Sequence, residues 1–503
     1  MIRALAIAAA AVAAAASGCG GKKDDATGTG AATASGTAAP ADPRAALAAM
    51  ALDAAAGKPT ASAAAYDRTA RVHPVLVGDG AWSAALPEAW RATDPAKVEL
   101  VAVLLDETSF DIGSAEYRGS TAPGAPTTRV SRSVKARRVR LLEARTGTVV
   151  ADDYLVGPPP RDLRSIESSA VVSGPELTAD DLKAWLEPFA TGGASAGTMI
   201  GRTPDGSARL ALSPDGTRIA VGTTDTTVVL HRLPGLEAER TITLKGTSNL
   251  EHRLSAQGAF DATGTHLVVA GDDDQLAVID LASSAERVIP LAKTMMGFSY
   301  RADHLCVAGG GVLTREPYGT EWRVLALADG KKLGKVSIDA AAGDDCVVSP
   351  TGAHVLVAVG QTGFALVDTR AWKNQVAVYS ASNDSVSGFA FAPDGATFVV
   401  GYGSGQIHRH SVAKPKAVPA APLATMGSAI SSLAYTPDGK HLVVADGDGI
   451  HLRDATSGAE VALLSKIPFA TDLAVTKDGA HVVGTTGFAA SQRWAFVIRL
   501  AAA

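Results

Sequence analysis

The chain has little charge and no long apolar run. Only 19% of its 503 residues are charged, and 46 Lys plus Arg against 51 Asp plus Glu leave a net charge of -5. That near balance provides no electrostatic footprint for a phosphate backbone and sets nucleic-acid binding aside. Hydrophobic residues reach 47%, but much of this is alanine. No run reaches the roughly 18 apolar residues that cross a bilayer, which excludes a polytopic membrane protein. Among the three cysteines there is no Cys-x-x-Cys pair, and the sequence contains neither a Walker loop nor a zinc-helix motif. What is plentiful is turn chemistry: 51 Gly and 25 Pro exceed the needs of a helical protein.

Residues 1–18 carry Arg3, an apolar run from Ala4 to Ala16 and then small residues, the layout of a secretory signal too short for a stable span. Ala16-Ser17-Gly18-Cys19 resembles the bacterial lipobox, with Ala16 where that family usually has Leu. The resemblance implies that residues 1–18 are a lipoprotein signal peptide and that Cys19 is lipidated. The chain would then be anchored in the bacterial cell envelope, and Gly20 in place of Asp points to the outer membrane. Residues 19–60 are rich in Ala, Gly and Thr and poor in aromatic and β-branched residues, so they are expected to form a disordered tether. Within it, residues 42–56 could form a short helix, although nothing there requires one.

A small β-rich domain is expected over 61–190. Residues 98–105 form a buried-strand candidate, and 128–144 with 148–156 form a hairpin about Arg145-Thr146-Gly147. The apolar set shifts from Val134 and Ala136 to Val139 and Leu141, which predicts a β-bulge at Arg137-Arg138. Thr178 to Asp181 starts one helix, with Leu182, Trp185 and Leu186 on its apolar face and Pro188 as its stop. The basic run Arg129, Arg132, Lys135, Arg137, Arg138 and Arg140 could attract anionic lipid or polymer, but is better read as the solvated face of the hairpin.

After a linker at 191–196, residues 197–503 repeat one plan. RLALSPDGTRIAVG, FDATGTHLVVAG, CVVSPTGAHVLVAVG, FAFAPDGATFVVG, LAYTPDGKHLVVA and LAVTKDGAHVVG each join two apolar strands through a tight turn. A degenerate copy begins at FSYRADHLCVAGG. The seven units recur about every 44 residues, the length of a four-stranded propeller blade. The expected fold is therefore all-β: a seven-bladed β-propeller preceded by the small β-rich domain. The units resemble WD-repeat and related bacterial propellers, most clearly in Ser213-Pro214-Asp215-Gly216 and in IHLRDATSG at 450–458. Asp280, Asp368 and Asp454 hold the aspartate of the Trp-Asp pair, while Ile279, Val367 and Arg453 replace its tryptophan. The last unit has only three strands, and residues 197–202 are expected to supply its fourth and close the ring.

Eleven histidines invite a metal hypothesis, but His266, His304, His354, His441 and His481 hold equivalent positions, which the ring keeps apart. His408 and His410 share a strand face without a third ligand. Ser195 sits in a Gly-x-Ser-x-Gly pattern, yet in a linker rather than in the strand–turn–helix a nucleophile elbow requires. Asp272-Asp273-Asp274 falls at a strand turn, where solvated carboxylates are expected. No catalytic residue, metal or cofactor is therefore assigned.

Two function classes follow. The favoured one is a non-enzymatic binding or scaffolding lipoprotein that presents loops to a protein, peptide or glycan partner in the envelope. The alternative is a propeller enzyme, such as a lactonase or a quinone-dependent dehydrogenase. For the first class, residues 309–320 of the third unit are read as a long loop insertion. With Met295, Met296, Arg315, Tyr318 and Phe469 it would form a partner-binding face. Cys306, placed in the second strand of the third unit, and Cys346, in the first strand of the fourth, form a possible disulfide, with two buried thiols as the alternative.

Overall fold

The computed structural model describes residues 42–501 apart from 68–69, 71, 119–126, 161–170, 193–195, 205–206, 224–226, 244–256, 271–274, 291–304, 316–320, 338–341, 380–383, 418, 420 and 487–492. From Pro43 onward the chain forms one compact unit. Its first part is a five-stranded sheet built from β1 (Val75–Val77), β2 (Leu100–Arg118), β3 (Thr127–Glu143), β4 (Val149–Val156) and β5 (Val171–Ser173). The first four lie side by side in that order, and β5 pairs in parallel with β3. Three helices accompany it: α1 (Pro43–Ala55), α2 (Gly80–Ala84) and α3 (Ala179–Ala190).

The face-by-face burial of β3 explains the shift in its apolar pattern. Val134 and Ala136 point to one side and join a cluster with Met199, Trp494 and Phe496 of the propeller. Val139 and Leu141 point to the other side, against Leu182 and Leu186 of α3. One strand is thus covered on opposite faces at its two ends, because successive side chains alternate. A bulge does exist at this level, but on the partner strand: Leu105 and Asp106 of β2 lie between the pairs Leu104–Val139 and Glu107–Arg137, opposite Arg138 alone.

Two expectations are corrected. Pro43–Ala55, assigned to the tether, is helical; Met50 and Ala54 are buried with Val98, Val101 and Leu142 of the sheet. Alanine looks like linker composition, yet it is the best helix former and lets a helix approach a sheet closely. α3 continues past Pro188 to Ala190. Proline there removes only one hydrogen bond near the helix end, while Leu182, Leu186 and Ala190 are fully buried.

Seven four-stranded antiparallel sheets follow, each meandering outward from an innermost strand. They span Ser207–Thr243, Gln257–Pro290, Leu305–Ser337, Ala342–Tyr379, Val386–Thr425, Ser432–Ser465 and Ala470–Leu500, and are numbered here as blades 1 to 7. Blade 7 receives its outer strand, β6 (Gly197–Arg202), from the other end of the propeller; β6 pairs with Ala495–Leu500 from Phe496–Arg202 to Leu500–Gly197. This removes two sheet edges at once.

The repeat motif has two jobs. In the first turn of a blade, Gly216, Gly264, Gly439 and Gly479 take φ of +70° to +75°, which glycine alone adopts without strain. Gly264, Gly439 and Gly479 also lie beside Pro214, Pro393 and Pro437 in the first turns of the preceding blades, so the turn residues stack the blades. The aspartate that ends the third strand caps the next turn. Asp280 Oδ1 accepts from the Ala282 and Ser283 amides, Asp454 Oδ1 from those of Thr456 and Ser457, and Asp368 Oδ1 from that of Arg370. None of these bonds needs a tryptophan beforehand. Across the ladder, His266, His354 and His441 stand opposite Asp280, Asp368 and Asp454. Four of the repeat histidines are therefore placed as expected at the start of second strands, His481 facing Arg499 instead; His304 lies outside the described residues.

Blade 3 departs from the sequence reading. Its innermost strand is Leu305–Ala308, so Cys306 is on the channel side of the blade and not in the second strand. Residues read as part of a loop insertion form the second strand, Gly311–Arg315, paired with Leu305–Ala308 across the Gly309-Gly310 turn. Val312 and Leu313 are fully buried there. Two adjacent branched residues after a Gly-Gly turn pair more readily than they remain in solvent.

Candidate functional site

The innermost strands of all seven blades enclose a central channel of about 1260 Å³. Its wall mixes apolar residues, such as Leu210, Leu305, Val347, Phe389 and Leu433, with polar ones that include Ser387, Ser431, Ser432, Thr471 and Asp472. Most of these hydroxyls are already engaged. Ser431 Oγ donates to the Ala470 carbonyl at 2.8 Å, and the Leu473 amide donates to Ser432 Oγ at 3.0 Å. The second bond is possible because Asp472 and Leu473 bulge opposite Gly484, which frees the Leu473 amide from its own ladder. Asp472 takes φ of +51°, and its Oδ2 accepts from Thr485 Oγ at 2.8 Å. Blade 6 is thereby stitched to blade 7 at the channel wall.

On the face that carries the loops between second and third strands, and those joining successive blades, the turn of blade 6 is held by a buried carboxylate. Asp446 is 1% exposed. Its Oδ1 accepts from the Asp448 and Gly449 amides at 2.8 and 3.1 Å and meets His451 Nε2 at 3.2 Å. Burial pulls the His451 pKa down, but the Asp446 hydrogen bond and charge, with Glu460 nearby, outweigh it and hold the imidazole above its ordinary value. The same turn anchors both neighbouring blade junctions: the Gly447 amide donates to Ser428 Oγ and the Phe469 amide to the Asp446 carbonyl, each at 2.6 Å. Phe469 is half-buried in this arrangement. The signal in the sequence is Asp-Gly-Asp-Gly at 446–449, a turn that a carboxylate must hold shut, and sequence reasoning passed over it.

Of the expected partner-binding residues, Met295, Met296 and Tyr318 lie outside the described residues. Arg315 ends the second strand of blade 3, and Phe469 sits on the blade 6–7 junction; the described structure does not bring these two together. Cys306 and Cys346 are joined as a disulfide, their Cα atoms 6.3 Å apart, and both line the channel.

His410 and the basic strand resolve as structure. His410 is buried, stacked on Phe398 with centroids 5.2 Å apart and edge-on to Phe364. Burial, and then the neighbouring His408, push its pKa down to about 4, so it is a neutral packing residue. Among the described residues no three His, Cys, Asp or Glu side chains are grouped to hold a metal. Ser195 and Asp272 to Asp274 lie outside the described residues. The basic residues of β3 are mostly satisfied within the domain. Arg138 makes a bidentate pair with Asp152 at 2.7 and 2.6 Å, Arg140 donates to the same carboxylate, Arg137 lies 5.5 Å over the Trp82 ring and Arg132 donates to the Pro160 carbonyl.

No family model matches the chain, and no curated protein matches it in sequence. Among solved structures it is similar to the Kuenenia stuttgartiensis hydrazine synthase at 14% identity, with a TM-score of 0.48, over 59% of this chain and 96% of that one.

Proposed function

We propose that this protein is a cell-envelope lipoprotein, acylated on Cys19 and held at the outer membrane, whose WD-repeat-like propeller is a non-enzymatic platform for a protein, peptide or glycan partner. The observation that carries the platform reading is how the loop-bearing face is built. Among the polar groups described there, Asp446 Oδ1, His451 Nε2, Ser428, Ser431 and Asp472 fix turns and blade junctions. A face rigidified in this way offers its loops as a preorganised surface. Met295, Met296, Arg315, Tyr318 and Phe469 are the residues proposed to contact the partner. The anchor rests on the small residues before Cys19 and on the polar stretch after it.

Both parts are testable. Full-length protein carrying Cys19→Ser should leave the membrane fraction for the soluble one, and undiminished membrane association removes the anchor. Chemical crosslinking of the full-length chain in intact envelopes, followed by identification of the bound material, tests the platform. Arg315→Ala with Tyr318→Ala should then weaken partner binding by roughly 2 kcal/mol or more without shifting the melting temperature. Full affinity in that double variant moves the site elsewhere.

A further inference from the structure

The seam between blades 3 and 4 differs from others in the ring. At four other seams the first-turn glycine of a blade sits against the first turn of its predecessor: Gly264 on Pro214, Gly395 on Thr351, Gly439 on Pro393 and Gly479 on Pro437. At blade 4 the equivalent glycine, Gly352, has nothing within 4 Å of its Cβ direction. The first turn of blade 3 is Gly309-Gly310, and its Gly309 lies against Thr369 of blade 4 rather than against Gly352. At this seam the innermost strands, Leu305–Ala308 and Ala342–Val348, are joined instead by the Cys306–Cys346 disulfide.

The two sulfur-bearing residues are not equally placed. Both line the channel, but Cys306 is 6% exposed and packs in the cluster of Leu313, Trp322, Val324 and Val355, whereas Cys346 is only partly buried at its margin. A channel of about 1260 Å³ is in the range that takes small molecules, many times smaller than a folded reductase domain.

We propose that Cys306–Cys346 is a thiol–disulfide exchange site reached through the central channel, that it takes small-molecule thiols, and that it sets whether the blade 3–4 seam is covalently closed. The incoming thiolate attacks Sγ of Cys346. A new S–S bond forms to the small thiol, the Cys306–Cys346 bond breaks, and Cys306 leaves as a thiolate that takes a proton from water. A second small thiolate then attacks the sulfur of the first, the bond from that sulfur to Cys346 Sγ breaks, and Cys346 leaves as a thiolate that takes a proton from water. Two small thiols are oxidised to their disulfide, and the protein disulfide is reduced to two thiols. Because Cys306 leaves into apolar surroundings that disfavour its thiolate, it is a poor leaving group, and the mixed disulfide recloses readily. The site therefore responds to the level of small thiol rather than to its presence.

The test uses the full-length Cys19→Ser chain, so that all thiols counted come from this pair. Untreated protein should show no free thiol after unfolding; two free thiols overturn the proposal at once. The native chain is then incubated with glutathione or with reduced thioredoxin, quenched in acid and mapped by peptide mass. Glutathione should give an adduct on Cys346 and not on Cys306, and reduction by thioredoxin should be at least roughly tenfold slower than of the urea-unfolded chain. An adduct on Cys306, or thioredoxin acting as fast on the native chain as on the unfolded one, refutes access through the channel. Single variants give an independent reading. In Cys306→Ser, Cys346 should react with iodoacetamide but not with a polymer-linked maleimide, and in Cys346→Ser, Cys306 should react about tenfold more slowly. Reduction should also speed amide exchange in Leu305–Ala308 and Ala342–Val348 while leaving blade 6 unchanged. Unaltered exchange at those two strands refutes the seam.

Discussion

The N-terminal sheet and the propeller share one core, and Trp494 is where that sharing can be broken. Its indole is 2% exposed. It stacks on Tyr154 of β4 at 5.4 Å between centroids and 17° between planes, and the Arg202 guanidinium from β6 lies 5.3 Å above the same ring. Truncating a buried tryptophan to alanine costs about 3–5 kcal/mol through lost burial and the cavity left behind. Part of that sum is the aromatic pair, worth about 0.5–1.5 kcal/mol, and the cation–π contact, worth about 0.5–2 kcal/mol. Trp494→Ala should therefore destabilise the chain by about 4 kcal/mol, a large share of ordinary domain stability. In urea, followed by far-ultraviolet circular dichroism, the wild type should unfold in one transition and Trp494→Ala in two, as the sheet is released from blade 7. A double-mutant cycle with Tyr154→Ala should show coupling of about 1 kcal/mol. A cost below about 1 kcal/mol, or strictly additive variants, would mean that the two parts merely touch.

Two further expectations follow from the same geometry. Deleting residues 195–203 takes away β6, whose Met199 is buried against Ile498; the melting temperature should fall sharply, and unchanged melting would place ring closure elsewhere. Asp153 is pushed up to about 7, mainly by burial, so the stability it contributes is fully present below the ordinary aspartate range and is lost as pH rises from about 4 through about 7. Asp153→Asn should lack that loss and gain on the wild type as pH rises. The advantage should be about 2 kcal/mol, roughly half the full linkage value because the side chain is only partly buried; equal pH profiles for the two proteins would show that the carboxyl titrates normally.

The repeat made the ring legible from sequence. A propeller blade is local, with each strand pairing to its chain neighbour, so the Gly and Pro that punctuate it also mark its turns, and the spacing of Gly216, Gly264, Gly352, Gly395, Gly439 and Gly479 fixes the blade count. The closing role of β6 follows from the same logic, since a ring with one three-stranded blade leaves a vacancy for one strand. Blade 3 was misread because its Gly309-Gly310 turn resembles a loop, and only the pairing of Leu305 with Thr314 shows which strand is innermost.

What composition and spacing could not decide depends on contacts between segments far apart in the chain. Whether alanine-rich Pro43–Ala55 is a tether or a helix is settled by the sheet that buries Met50. Which face of β3 is interior changes along the strand because α3 covers one end and blade 7 the other. That Cys306 and Cys346 meet across the seam of blades 3 and 4, and that Asp446 holds two blade junctions from a single turn, are consequences of bringing adjacent blades together. The sequence specifies the repeated unit because its forces are local; the differences between units that give the protein its sites arise only where neighbours pack.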